Sequence, residues 1–167
     1  MSAGDLLNIA VVTISDTRSE ETDESGSVLV SCLKEAGHHL QSKQIVKDDV
    51  YEIRSIVSAL IAEPVVQAVL MTGGTGFTAR DNTLVAIKPL LDTVIEGFGE
   101  LFRQLSYEEI GTSTVQSRAF AGLSNGTILF CIPGSPGACR TGWYLSLIHI
   151  SEPTRPLYIS YAVFCLK

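Results

Sequence analysis

Asp81 stands five residues after Gly76 in the stretch Thr72-Gly73-Gly74-Thr75-Gly76-Phe77-Thr78-Ala79-Arg80-Asp81, whose residue types suit the handling of an anion. Three glycines within four positions allow positive φ and a close approach of the main chain to a ligand. N–H groups from such a loop, ahead of a helix start, converge on phosphate oxygens without adding negative charge. A carboxylate just past the loop can hold a divalent cation or position a reacting group. The spacing points to a phosphate- or nucleotide-handling site. Ser15-Asp16, Asp48-Asp49 and the loop Pro133-Gly134-Ser135-Pro136-Gly137 are further polar groups, each following an apolar run.

The elements that must position these groups read as alternating strands and helices. Residues 8–14 (NIAVVTI), 66–72 and 127–132 (TILFCI) are continuous apolar runs, the pattern of strands buried on both faces. A second strand with weaker patterning is predicted at residues 38–46. Helical stripes follow at Val28, Leu29, Cys32, Leu33 and Ala36, with Gly37 as C-cap, and at Ile53, Ile56, Val57, Leu60 and Ile61. Helices are also predicted over residues 82–91, over residues 98–110 after the Gly97/Gly99 punctuation, and from about Ala138. Thr112-Ser113-Thr114 reads as a cap before residues 115–121, and Asn125-Gly126 as a hairpin turn. The order β-α-β-α-β predicts an α/β fold with a doubly wound, mostly parallel sheet. In such sheets ligands sit outside the carboxyl ends of the strands, where Ser15/Asp16, Asp48 and residues 73–81 all fall.

Each candidate also has a plainer reading. Asp48 or Asp49 could cap the helix over residues 51–62, Asp81 could cap the helix after its loop, and Ser15-Asp16 could be an ordinary turn. Residues 133–137 could be a structural loop only. Arg118 and Arg140 are either phosphate ligands or solvated surface, His38 and His39 are expected to be exposed, and Trp143 belongs to core or interface. Gly74-x-Gly76-x-x-Ala79, with Glu96 downstream, also fits a dinucleotide fingerprint. It follows the third strand rather than the first, and Arg80-Asp81 interrupts its small-residue packing, which disfavours a nicotinamide-dependent oxidoreductase.

The 167 residues are 46% hydrophobic, enough for one domain with a core. A net charge of −6 makes nucleic acid and acidic membranes unsuitable partners, so phosphate must be bound locally by N–H groups, a cation or a few basic side chains. No signal peptide or membrane-length apolar stretch is visible, and Cys32, Cys131, Cys139 and Cys165 lack metal-ligand spacing. The expectation is a cytoplasmic protein with reduced thiols, Cys32 and Cys131 lying in the core.

Residues 145–167 change character. LSLIHISEPTR (145–155) and ISYAVFCL (159–166) resemble the translation of a transposase-type sequencing-library adapter, with Pro156-Leu157-Tyr158 as the variable index between fixed ends. This segment is expected to be non-native read-through, standing where the native C-terminus would lie, and fold reasoning stops at residue 144.

Five ordered motifs resemble the molybdenum cofactor biosynthesis family that includes MoaB and the molybdopterin adenylyltransferase MogA. They are Val12-Thr13-Ile14-Ser15-Asp16, residues 72–81, Gly97-Phe98-Gly99-Glu100 with Phe102-Arg103, residues 111–118, and Pro133-Gly134-Ser135. The resemblance spans about residues 8–143 and is nearest the MoaB branch. It implies a three-layer α/β/α molybdopterin-binding domain over residues 1–144. It also implies transfer of AMP from Mg·ATP to the molybdopterin phosphate, and assembly as a homo-oligomer, trimer or hexamer, with residues 98–110 as a candidate interface. Asp81 matches the family's essential aspartate, and Asp48 an acidic position associated with Mg²⁺ and nucleotide. Thr72, Gly73, Gly74, Thr75 and Gly76 match the phosphate loop. Ser15, Asp16, Ser113, Arg118, Pro133, Gly134 and Ser135 are carried over as binding positions. The chain departs from the adenylyltransferase pattern after the aspartate, where Thr-Pro-Glu is replaced by Thr83-Leu84-Val85. The same resemblance implies a second possibility, a non-catalytic molybdopterin-binding or scaffold protein, since some MoaB members are thought to lack transferase activity.

Overall fold

The computed structural model describes residues 6–146. Six strands form one sheet in the order β2-β1-β3-β6-β5-β4. They are β1 (Asn8–Ile14), β2 (His39–Val46), β3 (Ala68–Thr72), β4 (Thr93–Ile95), β5 (Phe120–Ser124) and β6 (Thr127–Ile132). The first three and β6 run parallel, whereas β5 is antiparallel to both β6 and β4. The α/β, doubly wound, mostly parallel architecture expected from the apolar runs is thus present.

Alternation along the central strands sorts the core into two halves. Ile9, Val11, Leu70 and Phe130 face one side, with Leu29 and Leu33 of α1 (Glu24–Glu35), Phe98 and Phe102 of α4 (Glu96–Ile110), and Cys139 and Trp143 of α5 (Pro136–Ser146). Ala10, Val12, Met71 and Cys131 face the other, against Ile53, Val57 and Leu60 of α2 (Val50–Ala62) and Ala86 and Ile87 of α3 (Thr83–Ile87). This is a three-layer α/β/α sandwich. None of the described helices is long and apolar enough to cross a membrane.

Several local expectations change. The helix predicted over residues 82–91 shortens to α3 plus a 3-10 turn at Lys88–Leu90. Gly97 and Gly99 do not precede α4 but lie within its first turn; a Cβ on Gly99 would sit 2.6 Å from Ala119 O, so glycine is what lets α4 press against the chain entering β5. Residues 111–116 form a 3-10 helix rather than a cap. The Asn125-Gly126 turn is as expected, both residues at positive φ between β5 and β6. His38 is buried, not exposed: its Nδ1 accepts the Leu7 N–H at 3.2 Å, and its ring meets Trp143 edge-on at 6.0 Å. Cys131 is fully buried as expected, but Cys32 is partly exposed. Helix α5 runs through Leu145 and Ser146, with Ser146 buried and Leu145 packed on the core. The rest of the expected adapter-derived segment lies outside the described residues.

Candidate functional site

In a sheet ordered β2-β1-β3-β6, the connection from β1 runs to one side and that from β3 to the other, and a crevice opens between the carboxyl ends of β1 and β3. Ser15 and Asp16 end β1, and the glycine loop ends β3. Hydrogen bonds chain the loop tips together. The Asp48 N–H donates to Asp16 Oδ1 at 3.1 Å, the Asn82 N–H to Asp48 Oδ1 at 2.9 Å, and Asn82 Nδ2 to Asp48 O at 2.8 Å. Asp49, not Asp48, caps α2, accepting the N–H groups of Tyr51 and Glu52. The cap falls to one aspartate and leaves its neighbour to face the glycine loop, 3.0 Å from where a Cβ on Gly74 would lie.

Asp81 is not a cap either; α3 begins at Thr83 behind Asn82 without a side-chain cap. Its carboxylate turns back into the loop, where Oδ1 accepts the Gly76 N–H at 2.9 Å and Oδ2 accepts the Thr78 N–H and hydroxyl, both at 2.7 Å. The Gly73 N–H is also taken, by Ile132 O. Among the described residues this leaves Gly74 and Thr75 as the loop's open N–H donors. The loop owes its shape to φ of +101° at Gly73 and +61° at Gly74. Thr83 staples it from behind, its hydroxyl donating to Gly73 O and its N–H to Gly74 O.

The loop after β6 lies against the glycine loop backbone to backbone: a Cβ on Gly134 would meet Gly73 Cα at 3.1 Å. Ser135 Oγ accepts the Ala138 N–H at the start of α5. Together the two loops, α4 and the turn after it enclose a cleft of about 500 Å³ lined by Gly73, Gly74, Thr75, Gly76, Asp81, Ser113, Pro133, Gly134 and Ser135. Ser106, Glu109, Gln116 and Ser117 also line it and were missed by sequence reasoning. The signal was a polar residue on an apolar face, since Ser106 continues the Phe98–Phe102 stripe of α4 and is buried.

Five expected binding positions do not reach the cleft wall. Thr72 is fully buried, its hydroxyl donating to Pro133 O at 3.1 Å and lying 3.2 Å from Cys139 Sγ, so it joins the two loops instead of facing a ligand. Ser15 Oγ accepts the N–H groups of Thr17 and Arg18 in a local turn, and Asp16 holds Asp48. Arg118 grips the glycine loop from outside, Nε to Thr75 O at 3.3 Å and Nη2 to Asp81 O at 3.0 Å, with its guanidinium over the Phe77 ring. Asp48 flanks the loop. Asp48 nevertheless stands between the other two loop tips, close enough to Asp16 and Asp81 for both charges to act on it.

The two aspartates are poised oppositely. Burial pushes the Asp48 carboxyl up, opposed by the Asn82 bonds and reinforced by the charges of Asp81 and Asp16. Burial would also raise Asp81, but the Thr78 hydroxyl and N–H, the Gly76 N–H and Arg118 outweigh it and hold Asp81 below the usual carboxylate range. Asp81 and Glu109 line the cleft, while neither Lys nor Arg does. A phosphate entering there meets two carboxylates and no basic side chain on the cleft wall, Arg118 acting on Asp81 from outside it, so a divalent cation fits the electrostatics. Asp48 Oδ2, which accepts no hydrogen bond among the described residues, is the more open ligand. No cluster of three His, Cys, Asp or Glu side chains able to hold a metal occurs among the described residues.

The sequence pattern of the family described as "Probable molybdopterin binding domain" matches residues 10–152. The chain is 56% identical over 135 residues to molybdenum cofactor biosynthesis protein B of Escherichia coli K12, covering 81% of this chain and 79% of that one. Over 139 residues it is 46% identical to the protein of the same name from Bacillus subtilis, covering 83% and 82%. The tungsten cofactor synthesizing protein MoaB from Pyrococcus furiosus superimposes with a TM-score of 0.78 at 37% identity, covering 89% of this chain and 96% of that one.

Proposed function

Since this chain belongs to the molybdopterin-binding family of molybdenum cofactor biosynthesis protein B, and so acts in the making of that cofactor, we propose that its cleft binds molybdopterin and transfers AMP from Mg·ATP to the pterin's phosphate. An oxygen of that phosphate attacks the α-phosphorus of ATP. The new O–Pα bond forms as the bond from Pα to the bridging oxygen breaks, and the electron pair leaves with pyrophosphate. Such a reaction asks the protein for position and charge neutralisation more than covalent help. Gly74 and Thr75 N–H groups would bind phosphate oxygens, Asp48 and Asp81 would hold Mg²⁺, and Asp81 keeps the loop in its binding shape. Bound Mg²⁺ would supply charge to the phosphates. The carrying observation is a glycine loop folded around Asp81 in a cleft that has carboxylates and no basic side chain.

The test is formation of adenylylated molybdopterin and pyrophosphate from molybdopterin and Mg·ATP by the purified protein. Turnover that needs Mg²⁺ supports the reading; a folded protein that retains molybdopterin without forming either product overturns it. That second outcome would fit a non-catalytic binding or scaffold role. Engagement of both Asp81 oxygens by protein donors, together with Leu84 and Val85 where the transferase pattern has Pro and Glu, favours it.

Three other readings are proposals. Leu101 and Tyr107 are exposed on α4 while Phe98 and Phe102 are core, so the outer side of that helix is the part suited to a homo-oligomer interface, as trimer or hexamer; sedimentation velocity tests it. Residues 145–167 are adapter-derived, and an uninterrupted reading frame for them in the source DNA overturns that. A cytoplasmic location is proposed with them.

A further inference from the structure

Behind the rim formed by Ser117 and Arg118 lies a second space of about 230 Å³, into which two arginines project from different elements, Arg103 from α4 and Arg118 from the segment entering β5. Both are partly buried. Neither forms an ion pair among the described residues, where Lys43–Asp23 is the single pair within 4.0 Å. Both donate instead to main-chain carbonyls, Arg103 Nη1 to Ala119 O at 3.4 Å and Arg118 to Thr75 O and Asp81 O. Each guanidinium carries five N–H donors, so both retain donors for a ligand. Glu96 also lines the space, and Leu84, Val94 and Phe120 give it an apolar side. Ser117 lines both this groove and the main cleft.

We infer that the Arg103–Arg118 groove receives the pyrophosphate end of the nucleotide, holding the β- and γ-phosphates and then the released pyrophosphate. The assignment rests on the adenylyl-transfer reading of the adjoining cleft. The negative charge that develops on the leaving bridging oxygen needs donors aimed at it, and the main cleft offers no cationic side chain. Two guanidinia next to that cleft, neither in an ion pair within 4.0 Å among the described residues, supply them through charge-assisted hydrogen bonds. Glu96 competes for the same guanidinia and limits the affinity, which lets product leave.

Calorimetric titration of the full chain with inorganic pyrophosphate, in the presence of Mg²⁺, reads the groove without relying on turnover. Arg103→Gln is expected to weaken binding at least tenfold and Glu96→Gln to tighten it at least twofold, with Arg103→Lys recovering part of the loss. If Arg103→Gln melts early, Glu96→Gln alone carries the test. Absence of pyrophosphate binding by the parent overturns the inference, as do unchanged affinities in the variants. Arg103-dependent binding in a protein that transfers no AMP upholds the groove while the transferase reading falls. AMP transfer whose inhibition by pyrophosphate is untouched by Arg103→Gln does the reverse.

Discussion

Asp48→Asn should make the protein more stable at neutral pH while damaging the site. The amide oxygen can still accept the Asn82 N–H that Asp48 Oδ1 accepts at 2.9 Å, and the bond from Asn82 Nδ2 goes to main-chain O, so neither contact is lost. Burial, then the charges of Asp81 and Asp16, hold the Asp48 carboxyl above its ordinary 3.8 despite the Asn82 bonds. A group whose folded-state pKa is raised stabilises the fold in its protonated form. That contribution is complete below the unfolded value and lost as pH rises through the folded one, so at pH 7 the carboxylate is a net cost. The site is partly solvated, and relief of two like-charge contacts there is worth about 0.5–1 kcal/mol. For a chain of this size that is a rise in Tm of about 1–4 °C. Differential scanning calorimetry at low salt, at pH 7 and pH 3, measures it. The gain should shrink at pH 3, where the parent's Asp48 is itself protonated. Millimolar Mg²⁺ should raise the parent's Tm and leave the variant's unchanged. A variant that melts lower than the parent at pH 7, or keeps its full advantage at pH 3, refutes the electrostatic account.

Asp81→Asn has the opposite sign. Its amide nitrogen must face either the Gly76 or the Thr78 N–H, costing about 1–2 kcal/mol, and AMP transfer should drop at least a hundredfold, about 2.7 kcal/mol of transition-state stabilisation. Because the Asp81 carboxyl is held below its ordinary value, the stability it lends is present above that value and lost on acidification, so the variant's Tm deficit should narrow as pH falls through that region. Gly73→Ala places a methyl group against Ile14 O at a φ of +101°, and should cost more than about 2 kcal/mol in denaturant unfolding. Burial pushes the Cys139 thiol up to about 11, so peptide mapping after brief alkylation at pH 8 should find Cys32 modified ahead of Cys139 and Cys131.

The parts legible in the sequence were those with an uninterrupted physical signal. Strands β1, β3 and β6 are buried on both faces and therefore mostly apolar, and the Gly73–Gly76 loop announces itself by its backbone requirements. Strands β4 and β5 carry no such signal. Thr93–Ile95 is three residues long at the sheet edge, and β5 spends one of its five positions on Gly122, where a Cβ would run into Leu91 and Thr93 O. Adjacent aspartates at 48 and 49 are indistinguishable by type; only the direction of the chain entering α2 gives the cap to Asp49. His38 looked like a solvated turn residue because its partner, Trp143, lies more than a hundred residues away. The cleft's far wall was hidden for a related reason: Ser106 and Glu109 belong to a helix whose apolar stripe reads as core, and only the packed sheet shows which part of it faces the loops.

The strand order has a consequence for how the molecule comes into being. Ile9 pairs with Ala68, and Ala68 with Ile128, so the sheet's centre requires closure of two successive loops of about sixty residues each. The β5–β6 hairpin closes over two residues and can form at once, but β3 must wait, apolar and paired on one side only, until residues near 130 have been synthesised. Slow, collision-dependent zippering of the middle strands is the expected rate-limiting event, and it is during that interval that the nascent protein is most exposed to aggregation.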